Sequence, residues 1–243
     1  MIKVGTIQSI WLYPVKSMRG ISVESADMYW YGLEGDRRYA YVQSSDHTTF
    51  PWLTGREVPK IVQYQPTFSK DDKRRFGNIE VITPEGKTHT MSSSLLRQEL
   101  ATQFGKPVHL MQLNRGAFDA APMSIISTAT LQQLSQTHGS ELDLRRFRIN
   151  VIIEAEEPTP YVEDSWIDGS VTFGAREDSA VILPFRPIQR CVMVNIDPDS
   201  AEKDAGVLKS VNRSRNNFVG VYSWPRQIGT LRKGDTVYLR ENS

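Results

Sequence analysis

The feature that most constrains this chain is the way its apolar residues are broken into short runs. Residues 4 to 14 (VGTIQSIWLYP) are rich in β-branched and aromatic side chains and stop at Pro14. "ISVESADMYW" alternates apolar and polar, "YGLEGD" supplies two glycines for a turn, and "RRYAYVQ" resumes in the strand manner. "NIEVITPEGKTHTM" reads as a hairpin turning on Pro84, Glu85 and Gly86. Further on, "NVIIEA", "SVTFG", "AVILPF", "CVMVNI", "FVGVYSW" and "DTVYLR" are all strand-sized and apolar. A chain cut this way pairs strands; it lacks the strict strand–helix alternation of a parallel α/β sheet. The expected class is mainly β (α+β), a β-barrel type with a few short helices.

Two helices are predicted. "SSSLLRQELATQFG" opens on serines suited to the N-cap and closes on Gly105, and "SIISTATLQQLSQTHG" repeats the device with Ser127 and Gly139. The periodicity breaks at "NRGAFDAAP", which predicts an N-terminal β module over 1–115 and a second domain over 116–243. "SKDDKRRFGN" reads as a solvated loop rather than a functional basic patch.

Composition narrows the function. With 29 Lys and Arg against 28 Asp and Glu, the net charge of +1 does not suit a general nucleic-acid binder, whose affinity is dominated by phosphate neutralisation. The single cysteine, Cys191, excludes an intramolecular disulfide and a four-thiolate iron–sulfur cluster. The N-terminus lacks the apolar run of a signal peptide, and no stretch approaches the roughly 20 apolar residues that cross a bilayer. The expectation is a cytoplasmic protein with no membrane and no nucleic-acid partner.

Several chemistries lack their motifs: there is no phosphate loop, no dinucleotide-binding glycine turn and no nucleophile elbow. His47, His89, His109 and His138 are far apart, without zinc-site spacing. What recurs is basic residues at strand ends. "YPVKSMRG" places Lys16, Ser17 and Arg19 after a proline stop, and "EGDRRYA" places Arg37 and Arg38 at a turn. "DLRRFRINV" places Arg145, Arg146 and Arg148 before a strand, and "FRPIQRC" places Arg186 and Arg190 beside the thiol. Arginine suits two-point recognition of phosphate or carboxylate. If these segments converge they form a polyanion pocket ending in a sulfur that nearby guanidinium groups make more reactive. The residues alone leave two readings open: Cys191 as a small core residue, with the arginines as surface ion-pair partners, or Cys191 as a functional thiolate.

These segments resemble a known family. "LYPVKSMRGISVESADMYWYGLEGDRRY" is similar to the opening module of the MOSC proteins, named for the C-terminal region of molybdenum-cofactor sulfurase. "LDLRRFRINVII", "VEDSWIDGSVTFG", "QRCVMVNIDPDS" and "GTLRKGDTVYL" resemble successive blocks of the MOSC domain itself. The resemblance implies a β-barrel MOSC domain packed on an N-terminal β module, with molybdenum cofactor (molybdopterin) between them. In the oxidoreductase branch, which includes the amidoxime-reducing components, a single cysteine ligates molybdenum, and its position matches Cys191. Lys16 and Ser17 match the block facing the cofactor's phosphate, and Arg37 matches the "DR" block. Arg148 and Asn150 match "FR-x-N", Arg190 stands beside the ligand, and Tyr222 matches an aromatic position lining the site.

The implied reaction is reduction of N-hydroxylated or related N–O compounds at a Cys-ligated oxo-molybdenum centre. Electrons would come from a separate protein of ferredoxin or flavoprotein type, since one cysteine cannot hold a cluster. Relatives often carry C-x-R-C where this chain has Gln189-Arg190-Cys191 after Ile188, so only the ligand position is kept. Two other readings stand beside this one: a sulfur-transfer protein carrying a persulfide on Cys191, and a noncatalytic cofactor-storage module. Pyridoxal phosphate belongs to the sulfurase's other domain, and no Schiff-base lysine context is present here.

Overall fold

The computed structural model describes residues 1–68 and 79–240. The "SKDDKRRFGN" segment lies outside the described residues. The first part of the chain runs β1 (Ile2–Leu12), β2 (Ile21–Val23), β3 (Ser25–Tyr29), β4 (Gly32–Leu33), β5 (Tyr39–Gln43), β6 (Gln65–Phe68), β7 (Ile79–Ile82) and β8 (Thr88–Thr90). It continues with α1 (Ser94–Phe104), β9 (Val108–Gln112), β10 (Met123–Ser127), α2 (Thr128–His138), β11 (Val151–Ala155) and β12 (Ser170–Phe173). The last part holds β13 (Ala180–Gln189), α3 (Ala205–Arg215), β14 (Phe218–Gln227), β15 (Gly229–Arg232) and β16 (Thr236–Arg240).

The main sheet follows the order β11-β10-β14-β13-β12-β16-β1, and β1 pairs in turn with β11, which closes it into a seven-stranded barrel. Closure satisfies the backbone groups that an open edge would leave unpaired. The N-terminal strand β1 is therefore a stave of the barrel, hydrogen-bonded to β11 on one side and β16 on the other. The pairing of β10 with β11 is parallel, and α2 makes the crossover between them. Inward-facing Ile7, Ile10, Ile125, Val151, Trp166 and Val221 fill the barrel.

A second core lies under the N-terminal module. There β5 pairs with β9, β6, β7 and β8 form a meander, and Leu96 and Leu100 of α1 share one buried cluster with Tyr41, Leu53, Tyr64 and Val81. Ile196, from the barrel half of the sequence, belongs to this core as well, so the two halves share buried apolar surface. A third cluster covers the outside of the barrel with Leu134 of α2 and Val207 and Val211 of α3.

Both predicted helices form as expected. The Ser93 hydroxyl accepts from the Leu95 and Leu96 amides, Ser127 accepts from Thr130, and Gly105 and Gly139 close the two helices at φ 75° and 92°. The predicted hairpin also forms, with Gly86 at φ 81° in its turn.

Two readings need correction. α3, capped by the Asp204 carboxylate, has no counterpart among the predicted elements: it buries only Val207, Ser210 and Val211, a stripe too narrow to stand out among basic and polar residues. "CVMVNI", expected to be a strand, is a 3-10 turn over Val192–Asn195 that follows the exit of β13. A short apolar run does not reveal its backbone by periodicity, and here tertiary contacts decide it. The Asn195 side chain accepts from the Leu208 amide, which ties the turn to α3. Gly55 of the N-terminal module sits so close that a Cβ there would lie 3.0 Å from Met193 and Ile196. Among the described residues, no helix is long and apolar enough to cross a membrane.

Candidate functional site

The loops of the N-terminal module meet the barrel rim in a cleft of about 830 Å³, counting the solvent at its mouth. The eight residues matched to the family's site all line it: Lys16, Ser17, Arg37, Arg148, Asn150, Arg190, Cys191 and Tyr222. Of the other basic residues noted at strand ends, Arg146 joins them. Arg19 and Arg145 instead bind the Asp199 carboxylate beside the cleft.

Cys191 reaches the rim because β13 is bent. Register shifts occur between Pro184 and Arg186 and again between Pro187 and Gln189, where prolines cannot donate to the ladder. The chain then leaves the sheet, and Cys191 caps the 3-10 turn with its thiol half-buried. Arg56 Nη2 stands 3.5 Å from its sulfur.

Three cleft residues hold left-handed backbone without being glycine: Ser17 at φ 67°, Arg37 at 49° and Arg148 at 51°. Such conformations cost about 1 kcal/mol or more each and persist where surroundings over-determine them. Here buried hydrogen bonds do so. Asp36, fully buried, accepts from the Tyr13 amide at 2.7 Å, from Asn150 Nδ2 at 3.2 Å and from Arg37 Nη1. Arg37 Nη2 donates to the Arg148 carbonyl at 2.9 Å. Asn150 also accepts from the Ser124 hydroxyl at 2.9 Å, which completes a polar bracket joining both halves of the chain.

Arg148 donates from Nη1 to the Met18 carbonyl at 2.7 Å and lies 4.4 Å from the centre of the Tyr13 ring. Arg190 donates from Nε to the Val219 carbonyl at 2.9 Å and from Nη1 to the Phe147 carbonyl at 2.7 Å. In each, Nη2 is buried and has no hydrogen-bond partner among the described residues. Burial lowers both groups to about 10, because taking a guanidinium out of water disfavours its charged form. A buried donor without a partner is costly, and Arg146 Nε is a third in the same cleft, so its lining is short of acceptors.

Lys16 is buried too, and burial lowers its pKa against the opposing pull of Asp119. Its ammonium donates to the Ala117 carbonyl at 2.8 Å and to Asp119 Oδ1 at 2.5 Å. Asp119, Arg56, Thr54 and Phe50 line the cleft and were not among the residues read from the sequence. Arg56 lies in "PWLTGREVP", a segment bounded by Pro51 and Pro59, and its one sequence signal is an arginine next to a glycine. Asp119 lies in "GAFDAAP", whose broken periodicity reads as a boundary rather than a site. Tyr222 stacks on Phe185 at 6.5 Å, and Phe185 stacks on Trp224 at 5.7 Å, so an aromatic ladder leaves the cleft along β13 and β14.

A barrel joined to an N-terminal module, with a basic, thiol-bearing cleft between them, defines a two-module β protein. The family is then shown by comparison: the MOSC domain model matches residues 112–238 and the MOSC N-terminal beta barrel domain model matches residues 4–121. The chain belongs to the MOSC family. It is 24% identical to the mitochondrial amidoxime reducing component 2 of Bos taurus, over 97% of this chain and 83% of that one. It is likewise 24% identical to the mitochondrial amidoxime-reducing component 1 of Homo sapiens, over 98% of this chain and 83% of its relative. The crystal structure of the YUAD protein from Bacillus subtilis covers 99% of this chain and 97% of its own, at a TM-score of 0.54 and 10% identity, and shares the fold.

Proposed function

We propose that this cleft binds molybdenum cofactor and that the protein is an oxidoreductase acting on N-hydroxylated or related N–O compounds. The observation that carries the reading is the pair of buried Nη2 groups on Arg148 and Arg190, unpartnered among the described residues, in the cleft that holds Cys191. The donor set fits a phosphate-bearing, sulfur-coordinated group. Guanidinium groups donate to phosphate oxygens at two points, and a thiolate is a soft ligand suited to molybdenum.

Arg148, Arg190, Arg37, Lys16 and Ser17 would hold the anionic body of the cofactor, Asn150 would brace Arg37, and Cys191 would ligate the metal. When bound, the cofactor would supply two-electron chemistry, in which substrate, two electrons and two protons give the deoxygenated product and water. The chain's own residues orient the group, and Tyr222 walls the substrate side. The relatives' names, amidoxime reducing components, support the N–O substrate class. Electrons would come from a separate electron-transfer protein.

The test is molybdenum and pterin analysis of the wild type and Cys191→Ser, both expressed in a cofactor-competent host. The expected result is molybdenum in the wild type and its loss in the variant. Wild-type protein free of molybdenum and pterin would overturn the reading, and a persulfide on Cys191 in that protein would favour sulfur transfer. Full metal occupancy in the variant would remove Cys191 as ligand.

A further inference from the structure

A second cavity adjoins the cleft. Trp30, Tyr31, Phe118, Pro122 and Trp224 line it, with Arg115 at its edge, and it encloses about 1200 Å³ including its open mouth. Asp119 and Ala121 line both spaces, so the two adjoin at the 116–122 loop.

The cavity presents large apolar side chains to water: Trp30 is 66% exposed and Trp224 46%. Clustered exposed aromatics of this kind mark binding surfaces more often than neutral ones. The walls are also fixed in place. Gly32, at φ 107°, lies so close to Pro122 that a Cβ would meet it at 2.8 Å. Gly116, at φ 82°, lies under the Phe118 ring, where a Cβ would meet it at 2.4 Å. Both contacts exist only because glycine lacks a side chain: the first closes the loop bearing Trp30 on the loop bearing Phe118, and the second folds the Phe118 ring back on its own loop.

Trp224 is the outer rung of the aromatic ladder that begins at Tyr222 in the cleft. At the junction, Lys16 engages Asp119 Oδ1 while the Asp119 side chain stays 57% exposed. A molecule entering here meets flat apolar walls first and a carboxylate second.

Resting on the N–O reductase reading, we propose that this cavity seats the flat, apolar body of the substrate. Asp119 accepts a hydrogen bond from an N–H group at the boundary with the cleft. The protein therefore selects aryl substrates over small aliphatic ones. Stacking on two tryptophans explains the preference, since aromatic pairs add to simple area burial.

The experiment uses the full chain in two arms. In the first, 2-naphthamide, which has no N–O bond, is titrated by calorimetry into wild type, Trp30→Ala and Trp224→Ala. Both tryptophans are well exposed, so the variants retain their fold. Binding to the wild type that weakens roughly fivefold or more in each variant supports the proposal. No binding to the wild type, or equal binding to all three, overturns it.

In the second arm, kcat/KM is compared for naphthalene-2-carboxamidoxime and acetamidoxime with reduced methyl viologen as electron source. The aryl-to-aliphatic ratio is expected to fall roughly tenfold in the variants, mainly through KM. An unchanged ratio overturns the proposal, including the case in which the tryptophans matter only to a protein electron donor. No turnover of either compound by molybdenum-loaded wild type overturns the reductase reading instead, and the binding arm still decides whether the cavity takes an aryl group.

Discussion

Arg56, from the N-terminal module, points its guanidinium at the sulfur of Cys191, on the exit of a barrel strand, at 3.5 Å. The sulfur in turn raises the pKa of Arg56, chiefly through this hydrogen bond. The contact spans 135 residues of sequence and joins the two halves of the chain at the atom most able to react.

The Arg56 contact fixes the sulfur at the rim of the cleft, and that placement governs how readily an electrophile reaches it. In cofactor-free protein, Arg56→Met should slow alkylation of Cys191 by iodoacetamide about threefold or more near neutral pH. Because Cys191 is the one cysteine in the sequence, mass spectrometry of total label reads this site alone. An unchanged rate would mean that the contact does not govern the reactivity of the thiol.

Asp36 holds Tyr13, Arg37 and Asn150 together from a fully buried position. Asp36→Asn keeps the shape and removes the charge, which leaves Arg37 uncompensated. Breaking a buried pair this way costs about 3–5 kcal/mol. Urea denaturation should show a lower midpoint at constant slope, and an effect under 1 kcal/mol would contradict the bracket's role.

Gly220 sits at φ 72°, where an added Cβ would lie 3.1 Å from Arg190 Nη2 and from the Ile125 carbonyl. Gly220→Ala should cost about 1–3 kcal/mol in backbone strain and displace Arg190. Thermal unfolding checks the first effect. The second should appear as reduced stabilisation of the cofactor-free protein by inorganic phosphate, relative to the wild type at the same ionic strength.

Burial pushes Tyr13 up to about 12, and Tyr41 is raised for the same reason. Their neutral forms are favoured in the folded state, so their contribution is complete below the unfolded value of about 10 and is lost as pH rises beyond it. Arg148 and Arg190 act in the opposite sense: lowered to about 10 in the folded state, they release protons there that the unfolded chain still holds. At about pH 11, folded protein should therefore show less tyrosinate absorbance than unfolded protein, and Tyr41→Phe should reduce the loss of stability between about pH 9 and 11. Equal tyrosinate absorbance in the two states would contradict this.

Much of the site was legible because its chemistry is written in residue type. Lys16, Ser17, Arg37, Arg148, Asn150, Arg190, Cys191 and Tyr222 stand in short segments where strand signals end, and all of them line one cleft. Arg56 and Asp119 were not legible. Their segments carry no spacing that separates them from ordinary loops, and they matter only because the loops fold over the rim.

The sequence by itself determined the short strands, the serine caps and glycine stops of α1 and α2, and the basic residues gathered around a single thiol. Those are local properties, set by backbone preference and side-chain chemistry within a few residues. Tertiary structure decided that β1 is a stave of the barrel, since strand pairing at long sequence distance leaves no local mark. It also turned "CVMVNI" from an expected strand into a 3-10 turn, because Gly55 and α3 close on it from elements distant in sequence. The same long-range packing carries Cys191 off the end of β13 and under Arg56.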